Sequence, residues 1–163
     1  MLLKVAIKKL EESKEFKEFK KENPEFYLAH AFTIIDKIQT DWQIGYFGNK
    51  HEKVVVFMVG KEISQSAEEE VFKKPEDRVK KLDMNNVKID LEKAFEICEK
   101  LLEEKYKGEI INKTIAILQN LETELYNITL VCQSMNLINV KIDANNEKIL
   151  HESRESIMGL KKE

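Results

Sequence analysis

Hydrophobic positions along this chain follow two periods, and the order of the periods repeats. Leu3, Ile7 and Leu10, then Phe16 and Phe19, fall at helical spacing and predict a helix over about Leu2 to Glu22. Ser13 interrupts that stripe and offers a cap for a second, separate turn. Asn23-Pro24 ends it, because the residue before a proline avoids helical geometry. From Phe26 to Ile35 the central Ala-His-Ala would suit a helix, but Phe26, Tyr27, Phe32, Thr33, Ile34 and Ile35 are strand formers, and we read a strand. Trp42, Ile44 and Tyr46 then alternate with Gln43, Gly45 and Phe47, and Val54 to Val59 is strongly β-branched. A helix followed by three antiparallel strands is the simplest reading. The last of these strands is apolar on both faces, so both need cover. One cover is the first helix; the other is the second half of the chain or another subunit.

The second round is clearer. Asp90 caps a helix in which Leu91, Ala94, Phe95, Cys98, Leu101, Leu102 and Tyr106 keep one apolar face, and Gly108 ends it. Strands follow at Ile111 to Leu118, then at Tyr126, Ile128, Leu130 and Cys132, then at Ile138, Val140 and Ile142. Asp143 to Glu147 reads as a turn, and Lys148 to Ser153 as a fourth strand. The tail from Arg154 is weakly patterned and expected to fray. Between the rounds, Ser64 to Ala67 followed by Glu68 to Glu70 predicts a capped helical turn, and Pro75 to Leu82 a short helix. The expected fold is therefore α+β: two αβββ units with antiparallel sheets, each with a helix packed on one face. They span 1–60 and 87–153, joined by a helical connector at 61–86 and followed by a tail at 154–163. A chain of 163 residues holds these as two small lobes or as one compact domain.

Composition narrows the function classes. The chain is 42% hydrophobic, enough for a packed interior, and its 27 basic and 30 acidic residues give a net charge of -3. Such balance supplies no field for polyanions, so nucleic-acid binding is disfavoured. No apolar run reaches the roughly 20 residues that span a bilayer. The start, Met1 to Lys9, is broken by lysines and lacks the pattern of a secretory signal, so we expect no membrane attachment and a cytoplasmic location. Cys98 and Cys132 occupy apolar positions and form no CxxC pair, which fits small buried hydrophobes.

Candidate chemistry is sparse. His30 sits in the first predicted strand, as a ligand or base or as a hydrogen-bonded core histidine. His51 lies in a hairpin loop, and His151 has Glu152 and Arg154 but no second ligand nearby. Zinc needs three or four convergent ligands, so no metal site is predicted. Glu11-Glu12, Glu68 to Glu70 and Glu103-Glu104 read as solvated faces rather than paired catalytic carboxylates. There is no GxSxG elbow and no glycine-rich phosphate loop, so neither catalytic residues nor a cofactor are expected. The aromatics Trp42, Tyr46 and Phe47 are either ordinary packing or, with His30, a surface for a ligand or partner.

Val87-Lys88-Ile89-Asp90-Leu91-Glu92-Lys93-Ala94, Tyr106-Lys107-Gly108, Val140-Lys141-Ile142-Asp143-Ala144 and Lys148-Ile149-Leu150 together resemble a PepSY-type domain, a cystatin-like unit with one helix on an antiparallel sheet. The resemblance covers about Val87 to His151; the first half matches in order of elements. It implies binding or inhibition rather than catalysis and brings no catalytic residues. The functional expectation is a non-enzymatic binding or protein-interaction module, pairing with itself or another protein through a sheet face or edge. One alternative is a small-molecule-binding protein or enzyme with a pocket between helix and sheet. Another is a protease-inhibitor-like module.

Overall fold

The computed structural model describes residues 1–70 and 79–157. Its elements are α1 (Leu3–Glu12), α2 (Lys14–Glu22), β1 (Phe26–Asp36), β2 (Ile38–Gln39), β3 (Trp42–Gly48), β4 (Lys53–Val59), β5 (Ile63–Gln65) and β6 (Glu69–Glu70). A short 3-10 turn (Met84–Asn86) leads into α3 (Leu91–Lys105), then β7 (Ile111–Asn120), β8 (Glu124–Cys132), β9 (Asn136–Asp143) and β10 (Ile149–Ser156).

The first helical stripe is two helices. Ser13 takes extended geometry, and its Oγ accepts from the Phe16 amide at 3.1 Å, so it ends α1 and caps α2. Asp90 does the same for α3 through the Lys93 amide at 2.9 Å. The ambiguous stretch from Phe26 is strand throughout, with a bulge between Leu28 and His30.

Among the described residues every strand joins one antiparallel sheet whose main path is β10-β9-β8-β7-β1-β3-β4-β5, with β2 on β1 and β6 on β4. The two predicted strand sets therefore share one sheet, joined edge to edge. The join is β1 against β7, from His30 opposite Gln119 to Ile35 opposite Thr114. Ser64 to Glu70 is not the expected helical turn. Ile63–Gln65 and Glu69–Glu70 pair with β4, and Ser66 Oγ accepts from the Val56 amide at 2.9 Å. The physical reason is that the free edge of β4 presents unpaired amides, which these residues satisfy. The helix expected at Pro75 to Leu82 lies largely outside the described residues. The tail does not fray at Arg154, since β10 pairs with β9 as far as Ser156 opposite Asn136.

Register sorts the strand residues onto two faces. Trp42, Ile44 and Tyr46 share one with Val55, Phe57 and Val59, with Ala31, and with Leu118, Tyr126, Ile128 and Leu130. These belong to one continuous core with Leu3, Ile7, Leu10, Phe16, Phe19, Leu91, Ala94 and Cys98 of the helices. Phe16 and Phe19 meet Tyr46 and Phe57 ring to ring, with centroids 5.0 to 6.4 Å apart. Phe32, Ile34, Ile115 and Ile117 alternate with those core positions and point to the opposite face.

Candidate functional site

The four residues singled out in the sequence do not form one site. Trp42 and Tyr46 are buried on the core face, at 3% and 4% exposure. The Trp42 indole donates to the Met1 carbonyl at 2.9 Å and so ties the start of α1 to the sheet. Burial, with Glu11 nearby, pushes the Tyr46 hydroxyl well above its usual range. His30 and Phe47 lie on the opposite face. Phe47 is fully buried there, edge-on to Tyr27 with centroids 5.8 Å apart. His30 lies flat over Gly45, leaving no room for a side chain there: a Cβ at Gly45 would fall 2.1 Å from the imidazole Cε1. Burial lowers the His30 pKa. The imidazole thus packs against the Gly45 backbone of β3. Among the described residues no group of three or more His, Cys, Asp or Glu could hold a metal ion.

That depression has a pH consequence. With the folded pKa below the unfolded value, the unfolded chain takes up a proton first as pH falls. The stability tied to neutral His30 is therefore complete above about pH 6.5 and is lost as pH drops from there through the folded pKa. Urea midpoints are expected to fall between pH 7.5 and pH 5.5 (about one unit either side of the model histidine pKa), and to fall less in His30→Gln. Equal slopes in the two proteins would remove His30 from the account.

Two features carry binding geometry, and the candidate residues divide between them. The first is a groove of about 770 Å³ on the core side, between the start of α1 and the segment leading into α3. Ile35, Trp42 and Tyr126 form its floor; Leu3, Met84, Val87 and Phe95 line its walls; Lys4, Lys88, Asp90 and Glu92 also line it. Its buried polar atoms are already engaged. The Trp42 indole is on Met1, the Tyr126 hydroxyl donates to the Ile89 carbonyl at 2.8 Å, and Asp90 caps α3. The interior thus offers a ligand mainly apolar surface.

The second feature is the opposite sheet face. Phe32 stands across from Ile117 and Ile34 across from Ile115, on the two central strands. All four are half-buried and stand outside the core. Val54, Val56 and Met58 of β4 and Val131 of β8 extend the apolar area. Beside it Asn139 donates to Asn127 Oδ1 at 2.7 Å, so the polar groups of β8 and β9 satisfy one another. Within the paired stretches of β1, β3, β4, β7, β8 and β9 the only charged residues on this face are Lys113 and Lys141, with Asp36 and Asp143 at strand ends. The chain as a whole is 35% charged. A face so depleted in charge, with aromatic and branched residues at its centre, has the make-up of an interface core rather than of a solvated surface. The signal for it in the sequence was the β-branched and aromatic content at both parities of these strands.

The β10 edge of the sheet is less inviting. β10 carries His151, Glu152, Arg154 and Glu155, and charges of this kind discourage strand addition. Glu152 pairs with Lys105 of α3, and the Arg154 guanidinium lies 5.1 Å from the Tyr106 ring centre.

No protein-family model matches the chain, and no curated protein matches it. One solved structure is similar in fold. It is the crystal structure of a putative lipoprotein from Clostridium difficile 630, at 17% identity and a TM-score of 0.55, covering 86% of this chain and 90% of that one. At that identity the likeness shows the fold alone. Among the described residues, no helix is long and apolar enough to cross a membrane.

Proposed function

We propose that this protein is a non-enzymatic protein-interaction module that docks its partner on the charge-poor sheet face opposite the helices. The observation that carries this reading is the half-buried quartet Phe32, Ile34, Ile115 and Ile117 at the centre of that face, outside the core. Truncation or burial of such centrally placed apolar groups dominates the energetics of typical interfaces.

The architecture behind it is a tandem of two PepSY-like αβββ units, each with its helical layer on one face, joined through their first strands. Supporting the duplication, Trp42 and Tyr126 both sit on the core face of a unit's second long strand. Each donates to the backbone carbonyl just ahead of its unit's helix, Met1 for α1 and Ile89 for α3. The proposed compartment is the cytoplasm, where the free thiols of Cys98 and Cys132 stay reduced. Recovery in the membrane fraction of the native cell would count against that location.

The test is photo-cross-linking in the native cell. Replacing Ile117 with p-benzoylphenylalanine is expected to give one discrete protein adduct on irradiation. The same group at the exposed Lys8 of α1 gives none. Absence of an adduct at Ile117, or the same smear from both positions, ends the reading.

The groove favours a second reading, a small apolar ligand held between helix and sheet. Its volume of about 770 Å³ lies within the range of small-molecule sites. Trp42, the single tryptophan, reports on it directly. Titration with anilinonaphthalene sulfonate is expected to quench Trp42 emission to saturation at one equivalent. Unchanged emission at excess probe rules the site out.

A further inference from the structure

We infer that the groove between α1 and α3 takes a free fatty acid, with the hydrocarbon tail inside and the carboxylate held by Lys4 and Lys88. The inference rests on the second reading above, a ligand between helix and sheet, and names its chemical class.

The interior dictates the tail. Leu3, Ile35, Trp42, Met84, Val87 and Phe95 line a space of about 770 Å³. The Trp42 indole and the Tyr126 hydroxyl already donate to backbone carbonyls. A polar group placed among these residues would lose its water and gain no partner. Each methylene buried there adds affinity instead. The part of the ligand that enters is therefore hydrocarbon, and any polar group stays with the charged residues that line the groove.

Those charges dictate the head. Lys4, Lys88, Asp90 and Glu92 line the groove, two of each sign, but they are not equally available. Asp90 is committed to α3, because its carboxylate accepts from the Lys93 amide at 2.9 Å. Lys4 and Lys88 are exposed, and among the described residues neither side chain forms an ion pair or a hydrogen bond. Glu92 alone opposes them. Two free ammonium groups against one free carboxylate leave one positive charge, which a monoanion neutralises. Both helix starts add to that field: α1 begins at Leu3 without a side-chain cap, α3 begins at Leu91, and first turns carry partial positive charge. The backbone beside each lysine is also fixed before any ligand arrives. The Met1 carbonyl is held by Trp42, and the Lys88 and Ile89 amides both donate to the Ala144 carbonyl, at 2.8 and 3.1 Å. Binding then has little main chain left to order. One carboxylate on one hydrocarbon tail is the ligand that matches both halves of the groove.

Trp42, the single tryptophan, lines the groove and reads its occupancy. The full chain is titrated at neutral pH with dodecanoate, kept below its micelle concentration. Trp42 emission is expected to change to saturation at one equivalent. Dodecanol, the same tail without the charge, is expected to bind about tenfold more weakly, and dodecyltrimethylammonium more weakly again. Replacing Lys4→Glu and Lys88→Glu together should lower dodecanoate affinity about tenfold or more and leave dodecanol unchanged. Both lysines are exposed, so the fold is expected to be kept, and far-UV circular dichroism checks it. The comparison of dodecanoate with dodecanol in the unaltered chain needs no variant. Equal affinity for the two, or a double variant that binds dodecanoate as before, overturns the fatty-acid assignment while the apolar-ligand reading stands. Co-sedimentation with phosphatidylglycerol vesicles but no response to monomeric dodecanoate also overturns it, and transfers the lysines to a lipid surface. If neither dodecanoate nor dodecanol alters Trp42, the inference is lost. The groove reading is lost with it only when anilinonaphthalene sulfonate also leaves the emission unchanged.

Discussion

Phe57→Ala is expected to cost about 3–5 kcal/mol and to shift the urea midpoint more than any other single aromatic truncation in the chain. Phe57 is fully buried in the middle of β4. Its ring meets Phe16 at 5.6 Å, Phe19 at 5.1 Å and Tyr46 at 5.9 Å, so removing it strips contacts from both buried aromatics of α2 and from the sheet at once. α2 has nine residues and little else to hold it, being too short to persist alone in water. Refilling the void would require α2 to sink onto the sheet. Ser13 and Asn23 hinder that, the first as its cap and the second through the backbone bond from Asn23 to Phe19 at 2.8 Å. Met58→Ala, one residue on and pointing to the other face at 42% exposure, is the matched control and should cost about 1 kcal/mol or less. A Phe57→Ala loss no larger than that of Met58→Ala would mean that the ring cluster is not the anchor of α2.

That pair of neighbours shows what alternation does and does not reveal. Val54 to Val59 reads in the sequence as a strand apolar on both faces, and the structure agrees that it is a strand. Periodicity alone leaves open which parity meets the helices. The answer depends on how β3, β4, β1 and β7 line up, and register is a property of paired strands rather than of one. The same limit explains the site residues. Trp42 and Tyr46 share a parity and a face; Phe47 and His30 belong to the other, and His30 reaches it only through the bulge after Leu28. A bulge shifts parity by one residue and carries no strong local signature when, as here, it falls at an alanine. The α3 helix, by contrast, was legible almost to the residue, because its cap, its stripe and its closing glycine all act locally. The connector misled for a related reason. Ser64 to Glu70 has the composition of a capped turn, but the open edge of β4 was a stronger competitor for its backbone than a few helical hydrogen bonds.

Glu124→Ala, at a position that no motif or periodicity marks, is expected to cost about 2–4 kcal/mol, an effect out of scale for a surface carboxylate. Glu124 opens β8 at 5% exposure, and its side chain accepts three bonds. The Asp83 amide is at 3.2 Å, the Asn86 side-chain amide at 3.3 Å and the Asn120 side-chain amide at 3.2 Å. Together these tie the segment before α3 to the β7–β8 hairpin. Bonds to an ionised acceptor are the stronger kind. Removing the carboxylate leaves the donors with water that must enter a nearly closed site, so the loss is smaller than the bonds taken separately but well above that of an exposed glutamate. Glu103→Ala, on the solvent side of α3, supplies that comparison. Glu124→Gln keeps the shape and one acceptor oxygen and should fall between them. The damage is also expected to be local before it is global. The 3-10 turn and the α3 start that Glu124 secures form one wall of the groove, through Met84, Val87 and Leu91. Amide exchange at Asp83 and Val87 should therefore accelerate in Glu124→Ala under conditions where the β1–β7 amides remain protected. If both regions open together, or neither does, Glu124 does not act as the tie between connector and hairpin.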